Sequence, residues 1–375
     1  MKKNKILIYP YDLESAPIIR HQKLLDGYEI AALVSPRGWG MNGKDGKAAD
    51  GGDDIGIVVS SDFEEKLSLC DTVLFAKSHN ALDFKSIVLP KILRAIEAGK
   101  DIVLCIPVEK EEFDLILGKC NEHKVDFKYF AYSKELAEYP EIPSQQEVIY
   151  NICAPVVFVA GVGDRANKFE TQLALRENIL KKGYKISQIG SREYSELFGF
   201  HSFPQFMYSK KISESNKIVM FNHFVKQMEI EEKPDLIIIG IPGGIMPYNN
   251  KLTNGFGVLA YEVSQAVTPD STVFCCHYDG YVEEYFTRLK KSVRYKLGCR
   301  VDCFSISNVI FDWFYSKELS RESYVPIDTK ILDEKIKDFS SYGETIFNVL
   351  NGKDALQMTD FIIDTLSEYG EAECI

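Results

Sequence analysis

The sequence predicts a two-domain α/β protein in which each domain is a doubly wound, mostly parallel sheet. Length is the first indication, because 375 residues exceed what a single hydrophobic core normally supports. The second indication is that short apolar runs alternate with segments of helical periodicity in both halves of the chain. Such runs are typical of parallel strands that helices cover on both faces. A polar stretch with Pro140 and Pro143 separates the halves and predicts an interdomain linker at residues 138–146.

The first half, residues 1–145, is predicted to form the N-terminal domain. Its predicted strands are residues 6–9, 30–34, 57–59, 72–75 and 102–106, and its clearest predicted helices are residues 87–98 and 111–120. A glycine-rich insert at residues 36–54 separates the second and third strands, and inserts of this length are usually functional or mobile. No Gly-x-Gly-x-x-Gly follows the first strand, so no dinucleotide site is predicted there.

Three residues of this half are candidate substrate-binding residues. Trp39 and Lys44 lie on the glycine-rich insert, and Arg20 lies on the helix predicted after the first strand. We expect the insert to close over a cleft between the domains. The alternative is a solvated loop beside a surface helix.

The second half, residues 150–375, repeats the alternation. Its predicted strands are residues 155–160, 184–189, 235–239, 272–277 and 301–306, and its predicted helices are residues 168–182, 215–232, 257–267 and 282–297. The last 45 residues are predicted to be helical, with residues 355–368 the clearest amphipathic segment.

Composition limits the possible partners and the compartment. The net charge of −11 disfavours non-specific binding to nucleic acid or to an anionic membrane. No apolar stretch is long enough to span a bilayer, and the apolar run after the basic N-terminus ends at Pro10. The nine cysteines are scattered, and several lie in apolar runs, which is typical of reduced thiols in a cytoplasmic protein.

The most informative segment is the glycine loop, residues 161–168, which reads Gly-Val-Gly-Asp-Arg-Ala-Asn-Lys. An apolar strand precedes it, and a helix follows at once. This is the context of a phosphate-binding loop, in which backbone N–H groups and the helix dipole attract an anion and Lys168 adds a positive charge. Six residues separate Gly161 from Lys168. This spacing resembles the loop of dethiobiotin-synthetase-like P-loop proteins, and it implies a P-loop-NTPase-like second domain that binds ATP or GTP.

Three positions depart from that pattern. Asn167 replaces the usual glycine before the lysine, Phe169 replaces the Ser or Thr that holds Mg²⁺, and Gly240 stands where related NTPases have an Asp. Asparagine tolerates positive φ, so the loop can keep its shape. Mg²⁺ would need other oxygen ligands, for which the candidates are Asp164, Glu170, Thr171 and Glu193. The sequence therefore favours binding over efficient hydrolysis, and the alternative is a strand–loop–helix crossover without a ligand.

Two further loops are expected at the same edge of the sheet, because each follows a predicted parallel strand. The first carries Ser191, Arg192, Glu193 and His201, either as ligand contacts or as part of an aromatic packing loop. The second carries the glycine pair after residue 242. The predicted cofactor-binding residues are therefore Gly161, Gly163, Asp164, Arg165, Asn167, Lys168, Phe169, Thr171, Gly243 and Gly244. The predicted catalytic residues are Lys168, Glu193 and His201, and Ser191 and Arg192 join the substrate-binding set.

Cys275, Cys276 and His277 end another predicted strand. Neighbouring residues of a strand point to opposite faces, so the two thiols are not expected to share a metal ion. We predict no metal site of this kind and expect buried thiols instead.

Three segments together resemble the peptide maturation system protein family: Pro36-Arg37-Gly38-Trp39-Gly40 with Lys44-Asp45, the glycine loop through Glu170, and the segment from Ile189 to Pro204. Members of that family are encoded beside radical-SAM maturases and small Cys-rich, bacteriocin-like precursor peptides. The resemblance implies a part in maturing a ribosomally synthesised, modified peptide, with the precursor peptide or the maturase as partner. The loop also resembles that of a wider group with a Rossmann-like N-terminal domain and a P-loop C-terminal domain. By analogy with such proteins, a homodimer is possible.

Three hypotheses follow. The first is a nucleotide-dependent accessory enzyme or switch, in which Lys168 neutralises phosphate charge and Glu193 or His201 orients a nucleophile. The second is a non-catalytic module that binds the peptide or the maturase and whose glycine loop is vestigial. The third is an enzyme that acts on the peptide through a different site.

Overall fold

The computed structural model describes residues 3–131, 148–319 and 321–372. These residues divide into two compact units. The first holds residues 3–131 and Glu196–Gly199, and the second holds residues 148–195 and the chain from Phe200 onward. The linker predicted at residues 138–146 lies outside the described residues, so the predicted domain boundaries remain predictions. Within the described residues, no helix has both the length and the apolarity needed to cross a bilayer.

The first unit is built on a six-stranded, wholly parallel sheet. Its strands are β1 (Asn4–Tyr9), β2 (Tyr28–Val34), β3 (Val59–Ser60), β4 (Thr72–Phe75), β5 (Asp101–Leu104) and β6 (Phe127–Tyr129). Its α-helices are α1 (Ala16–Arg20), α2 (Phe63–Leu67), α3 (Leu89–Glu97) and α4 (Lys110–His123). The strand order is β3-β2-β1-β4-β5-β6, which is the order of a Rossmann-like doubly wound fold. The α/β class predicted for this half is confirmed.

The apolar run of β1 forms the centre of this sheet because strands pair with it on both sides. Tyr9 is buried and makes edge-to-face contacts with Phe63 of α2 at 5.4 Å and with Phe75 of β4 at 6.2 Å between ring centroids. Such pairs add about 1 kcal/mol each to the free energy gained from burying the rings.

The second unit is built on an eight-stranded sheet that is parallel except at one edge. Its strands are β7 (Val156–Gly161), β8 (Ile186–Gly190), β9 (His201–Ser202), β10 (Leu236–Gly240), β11 (Ser271–Tyr278), β12 (Cys303–Phe311), β13 (Tyr324–Pro326) and β14 (Ile346–Phe347). The order is β13-β12-β11-β7-β10-β8-β9, β14 also pairs with β12, and the β12–β13 pair is antiparallel. The doubly wound α/β class predicted for this half is also confirmed.

Seven α-helices belong to the second unit among the described residues. They are α5 (Lys168–Lys181), α6 (Glu214–Glu232), α7 (Val258–Ala266), α8 (Glu283–Leu297), α9 (Trp313–Leu319), α10 (Thr329–Phe339) and α11 (Gly352–Ala372). The two units together also contain shorter turns of 3₁₀ or π helix, at Gln22–Leu24, Gly46–Ala49, Phe84–Val88, Ser195–Phe198, Gln205–Tyr208, Asn254–Gly257 and Ser340–Tyr342.

The carboxyl end of β7 is the switch point of the second sheet. From β7 the chain passes to β8 and β10 on one side and later to β11 and β12 on the other. Loops leaving β7, β10 and β11 therefore meet at one edge, and ligands of doubly wound sheets bind in the crevice that such a reversal opens.

Candidate functional site

The glycine loop joins β7 to α5 as the sequence predicts. Every residue of β7 is buried, and α5 begins at Lys168. Two non-glycine residues of the loop have left-handed backbone conformations, Arg165 with φ 57° and Asn167 with φ 56°. Asparagine tolerates this region better than most residues. Asn167 therefore adopts the left-handed conformation, as expected for a residue that stands in for a glycine at the start of the helix.

Lys168 points into the loop rather than into solvent. Its side chain is 6 % exposed, and Nζ donates to the carbonyl oxygen of Gly163 at 2.8 Å and to that of Gly243. Burial lowers the pKa of Lys168, and the nearby charge of Asp164 only partly opposes this. The ammonium is thus held in a desolvated position by neutral carbonyl groups.

Glycines are required here because other chain segments lie against the loop. A Cβ on Gly161 would lie 2.7 Å from the carbonyl oxygen of Cys275, and one on Gly163 would lie 1.7 Å from the Tyr248 hydroxyl. A Cβ on Gly244, in the loop after β10, would lie 2.3 Å from the carbonyl oxygen of Val162. The loops after β7 and β10 therefore pack backbone against backbone. This places Gly243 and Gly244 at the glycine loop, as predicted.

The residues present do not fit a magnesium site of the P-loop kind. Phe169 is buried and packs edge-to-face on Tyr194, with 5.4 Å between ring centroids. Thr171 is fully buried, and its hydroxyl donates to the Ser305 hydroxyl at 3.3 Å inside the core, so it does not replace the missing ligand. Among the described residues, no group of three or more His, Cys, Asp or Glu is arranged to hold a metal ion.

A glutamine amide fills the space that the third departure leaves. A Cβ on Gly240 would lie 2.1 Å from the Gln172 amide. Gln172 Nε2 donates to the carbonyl oxygen of Lys168 at 2.9 Å and to Ser191 Oγ at 2.8 Å, and Oε1 accepts from the Ser191 N–H at 3.1 Å. Ser191 is thereby tied to the first turn of α5 by a neutral hydrogen-bond network.

Arg192 and Glu193 lie within electrostatic range of the glycine loop. Partial burial raises the pKa of Tyr208, the charges of Glu193 and Asp164 raise it further, and the charge of Arg192 opposes them. The Arg192 charge also acts to lower the pKa of Lys168. Both side chains thus lie near the glycine loop, and their role as ligand contacts stays a prediction.

His201 is held elsewhere. Its Nε2 lies 2.5 Å from Oε1 of Glu232, the last residue of α6, and Glu232 Oε2 accepts from the Ser187 hydroxyl at 2.5 Å. The ring also packs edge-to-face on Phe224. Its observed partner is thus a carboxylate, whereas the predicted catalytic role needs a reacting group beside Lys168.

The predicted substrate-binding residues of the first unit occupy a folded insert. Arg20 forms a paired contact with the Asp50 carboxylate, both distances being 2.6 Å, and also donates to the carbonyl oxygen of Asp53 at 2.9 Å. These bonds hold the insert onto α1, which is a structural role. Lys44 is exposed and Trp39 is partly buried, and their predicted role as substrate contacts stays a prediction.

The insert is also ordered around Asp45. Burial would raise the pKa of this carboxyl, but hydrogen bonds from the backbone N–H groups of Ile55, Lys47 and Gly56 hold it below its usual value. Asp45 therefore closes the insert as a compact turn.

An aromatic cavity beside the glycine loop was not predicted. Its volume is about 370 Å³, and its lining includes Val162 of the loop together with Tyr248, His277, Phe311 and Trp313. The first four of these are carried to the sheet edge by β7, β10, β11 and β12. The sequence does contain aromatic residues near positions 248 and 311–315, but their spacing does not indicate that they line one cavity.

His277 is a neutral part of this cavity. It is 4 % exposed, and its Nε2 donates to the carbonyl oxygen of Asp164 at 2.7 Å. Burial lowers its pKa to about 4. The neighbouring thiols stay protonated at neutral pH, since burial raises the pKa of Cys275 to about 11 and the pKa of Cys276 well above its usual value. The expectation of buried thiols is met.

Comparison with known proteins shows a shared fold. No protein-family profile matches the chain, and no curated protein does. The structure is similar to that of a DUF1611 family protein from Anabaena variabilis ATCC 29413, with a TM-score of 0.63 and 11 % identity over 98 % of this chain and 100 % of that one. At this identity the likeness concerns the fold alone, so the peptide-maturation assignment stays a prediction.

Two partial likenesses were also found. An oxidoreductase from Agrobacterium radiobacter, solved with NAD⁺, L-tartaric acid and magnesium, has a TM-score of 0.28 and 11 % identity over 52 % of this chain and 47 % of that one. The signal recognition particle receptor FtsY from Elizabethkingia anophelis has a TM-score of 0.27 and 15 % identity over 65 % of this chain and 75 % of that one.

Proposed function

We propose that the second unit binds the phosphate groups of a nucleotide, ATP or GTP, at the glycine loop, and that it does so without the usual magnesium ligands. The observation that carries this proposal is the position of Lys168. A buried ammonium whose hydrogen-bond acceptors, among the residues that the structure describes, are the carbonyl oxygens of Gly163 and Gly243 gains from an anion that offers a full opposite charge.

Two further features supply donors for an anion. Lys168 begins α5, a helix of 14 residues, so the positive end of its dipole faces the loop. The Asn167 side-chain nitrogen is buried and has no hydrogen-bond partner among the described residues. Buried donors normally have partners, and a phosphate oxygen is a suitable acceptor for this one.

The chemistry at this site is binding rather than fast hydrolysis. Phosphoryl transfer in P-loop proteins depends on a metal ion that bridges the β- and γ-phosphates. Phe169, packed on Tyr194, offers no metal ligand, and the Gln172 amide beside Gly240 already uses its oxygen to accept from the Ser191 N–H. The protein would then work as a nucleotide-dependent accessory component in maturing a ribosomally made peptide, with a precursor or a radical-SAM maturase as partner.

Arg192 and Glu193 have defined roles in this proposal. The Arg192 guanidinium contributes a second positive charge at the loop edge, and Glu193, rather than His201, is the candidate for orienting a water or a substrate hydroxyl. His201 contributes indirectly, through the Glu232 pair, by fixing the edge of the sheet next to this loop.

Calorimetric titration with ATP, GTP and pyrophosphate, with and without Mg²⁺, tests the proposal. We expect saturable binding to the wild-type chain that changes little when Mg²⁺ is removed. Lys168→Ala should weaken it at least about tenfold, because a charge-assisted contact of about 1.5 kcal/mol or more is lost. The matched control is Lys181→Ala, in the last turn of the same helix, where the side chain is 61 % exposed. Absence of binding by either nucleotide under both conditions would reject the proposal.

A second candidate function is favoured by the surface of α9. Trp313, Phe314 and Tyr315 are 51 %, 70 % and 57 % exposed. Clustered exposed rings are typical of protein or peptide contacts. In this alternative the chain is a non-catalytic module that holds the precursor peptide or the maturase, and the glycine loop is vestigial.

Pull-down of the purified precursor peptide separates the two functions. A contact made by α9 should be lost in Phe314→Ser and kept in Lys168→Ala. Tyr295→Ser is the matched control, because it removes an 85 % exposed ring from α8. The mass of a precursor co-expressed with and without the protein shows whether the protein also modifies the peptide.

A further inference from the structure

The aromatic cavity has the size of a small-molecule site. Its volume of about 370 Å³ falls in the range of roughly 300–1,000 Å³ that is usual for such sites. It lies wholly in the second unit, between the loop after β10, the ends of β11 and β12, and helix α8.

Ring stacks form much of the lining. Tyr248 and Phe311 are stacked with 4.4 Å between centroids, and Trp313 lies edge-on to Phe311 at 4.6 Å. Tyr281 and Tyr285 form a second stack at 4.2 Å with only 16° between ring planes. Aromatic walls of this kind favour a planar ring, which gains offset-stacked or edge-to-face contacts in addition to burial.

The polar part of the lining carries one charge of each sign. Arg288 is exposed and lies on the α8 face that also carries Tyr285 and Ser292, at helical spacing. Asp279 lies at the end of β11, and its Oδ1 accepts the Gly280 N–H at 2.7 Å. A guanidinium binds a carboxylate through two parallel hydrogen bonds, and a carboxylate binds an ammonium.

We propose that this cavity binds an aromatic α-amino acid, with the ring between the two aromatic stacks, the carboxylate at Arg288 and the ammonium at Asp279. An aromatic acid would offer Asp279 no opposite charge, and an aromatic amine would offer Arg288 none. The zwitterion satisfies both. This site goes beyond phosphate binding and can be occupied whether or not the glycine loop holds an anion.

One side chain belongs to both sites. The Tyr248 ring lines the cavity, while its hydroxyl lies so close to Gly163 that a Cβ there would be 1.7 Å away. If this ring moves when an amino acid binds, the Tyr248 hydroxyl therefore moves relative to Gly163 of the glycine loop. The geometry places the amino acid and the phosphate as neighbouring ligands rather than as competitors.

Fluorescence of Trp313 gives a direct readout. The chain has two tryptophans, so Trp39→Phe leaves Trp313, which lines the cavity, as the single reporter. The probes are L-phenylalanine, phenethylamine and 3-phenylpropionate, which share a ring and differ in charge. We expect a saturable change with L-phenylalanine and about tenfold weaker binding of the two singly charged probes.

Variants of exposed α8 residues locate the site. Arg288→Gln should weaken L-phenylalanine and 3-phenylpropionate but not phenethylamine, whereas Arg294→Gln, on another face of α8, should change none of them. Ser292→Phe should abolish the response by filling the cavity. Its control is Ser367→Phe on α11, because both serines are exposed and both hydroxyls donate to the carbonyl oxygen four residues earlier at 2.9 Å.

The result decides the proposal independently of the phosphate site. Lys168→Ala should keep the response to L-phenylalanine even though it weakens nucleotide binding. The proposal is overturned if none of the three probes gives a saturable change. It is also overturned if Ser292→Phe binds like the parent, or if Arg288→Gln weakens phenethylamine as much as L-phenylalanine.

Discussion

The side-chain amide of Gln172 lies where a side chain on Gly240 would have to be. A Cβ built on Gly240 would be 2.1 Å from this amide, which is far inside contact distance. The P-loop pattern that the glycine loop resembles predicts an acidic residue at the position of Gly240. Here a neutral amide occupies that volume, and its nitrogen donates to the Lys168 carbonyl oxygen and to the Ser191 hydroxyl. The two residues are therefore matched to each other, and restoring the acid requires changing both.

The first prediction concerns this pair. Gly240→Asp alone should lower the free energy of unfolding by about 2 kcal/mol or more, because it forces a side chain and a charge into a filled, buried volume. Gln172→Ala in the same chain should recover part of that loss. Thermal unfolding of the two single variants and the double variant gives the coupling energy directly. Additive effects within about 0.5 kcal/mol would show that the two side chains do not compete for space.

The strand and the helix on either side of the glycine loop could be predicted from the sequence because each has a strong local signal. Five consecutive apolar residues precede Gly161, and helical periodicity starts at Lys168. The three altered positions were also visible in the sequence. The side chain that fills the space beside Gly240 could not be predicted. Gln172 lies on α5, which follows β7, and it reaches Gly240 only because β7 pairs with β10.

The aromatic cavity could not be predicted because its walls come from distant segments. Strand β12 was predicted to end at residue 306, since Ser307 and Asn308 interrupt its apolar pattern, but it continues to Phe311 with both polar residues buried. Tertiary packing decides such a strand, and local pattern does not. Strands β9, β13 and β14 were missed for a simpler reason: two or three residues are too few to show a period.

The second prediction concerns Gly163 and Tyr248. Gly163→Ala should destabilise the second unit by about 1–3 kcal/mol and weaken nucleotide binding, because the new methyl group displaces the tyrosine. Tyr248→Ala should remove that penalty, so the double variant should be no less stable than Tyr248→Ala alone. Unfolding followed by Trp313 fluorescence in the Trp39→Phe chain measures this. An equal loss in both backgrounds would mean that Tyr248 is not what limits residue size at position 163.

The third prediction is a pH dependence of anion binding. Burial lowers the pKa of Lys168 in the free protein, and a bound anion would raise it again. Above the lowered pKa the lysine must take up a proton on binding, so affinity should fall as the pH rises from neutral toward the ordinary lysine value of 10.5. Sulfate is a suitable probe because it does not titrate in this range. Lys168→Arg keeps its charge and should bind sulfate with little dependence on pH.

Two results would contradict this pH prediction. If sulfate affinity for the parent chain stays constant over this range while Lys168→Ala still loses binding, the lysine is fully charged before the anion arrives. Equal slopes for the parent and for Lys168→Arg would assign the pH dependence to another group.

The fourth prediction concerns the insert of the first unit. The side chains of Arg20 and Asp50 are 11 % and 5 % exposed, so removing one partner leaves a buried charge. Arg20→Ala should cost about 3–5 kcal/mol. Replacing both by apolar residues, as in Arg20→Met with Asp50→Leu, should cost much less. Denaturant unfolding followed by Trp39 fluorescence, in a Trp313→Phe chain, checks this. If Arg20→Ala changes the free energy of unfolding only slightly, Arg20 is available for the substrate contact that the sequence predicts.

The fifth prediction concerns stability in acid. Burial lowers the pKa of His277 from 6.5 to about 4. The unfolded chain therefore binds more protons than the folded chain as the pH falls below about 6.5, and stability must decline between that value and about pH 4. This histidine alone should account for about 3 kcal/mol, since one pKa unit is worth about 1.4 kcal/mol. The contribution of His277 to stability is thus fully present above the pKa of the unfolded state, 6.5. It is lost as the pH falls toward the pKa of the folded state, about 4.

His277→Gln isolates this contribution. A glutamine can still donate to the carbonyl oxygen of Asp164, but it does not titrate. Denaturant unfolding at a series of pH values should therefore show a flatter acid limb for His277→Gln than for the parent, with the two curves converging above about pH 6.5. Parallel curves would mean that His277 becomes protonated in the folded state without cost. In that case the Nε2 contact with Asp164, rather than desolvation, would dominate its chemistry.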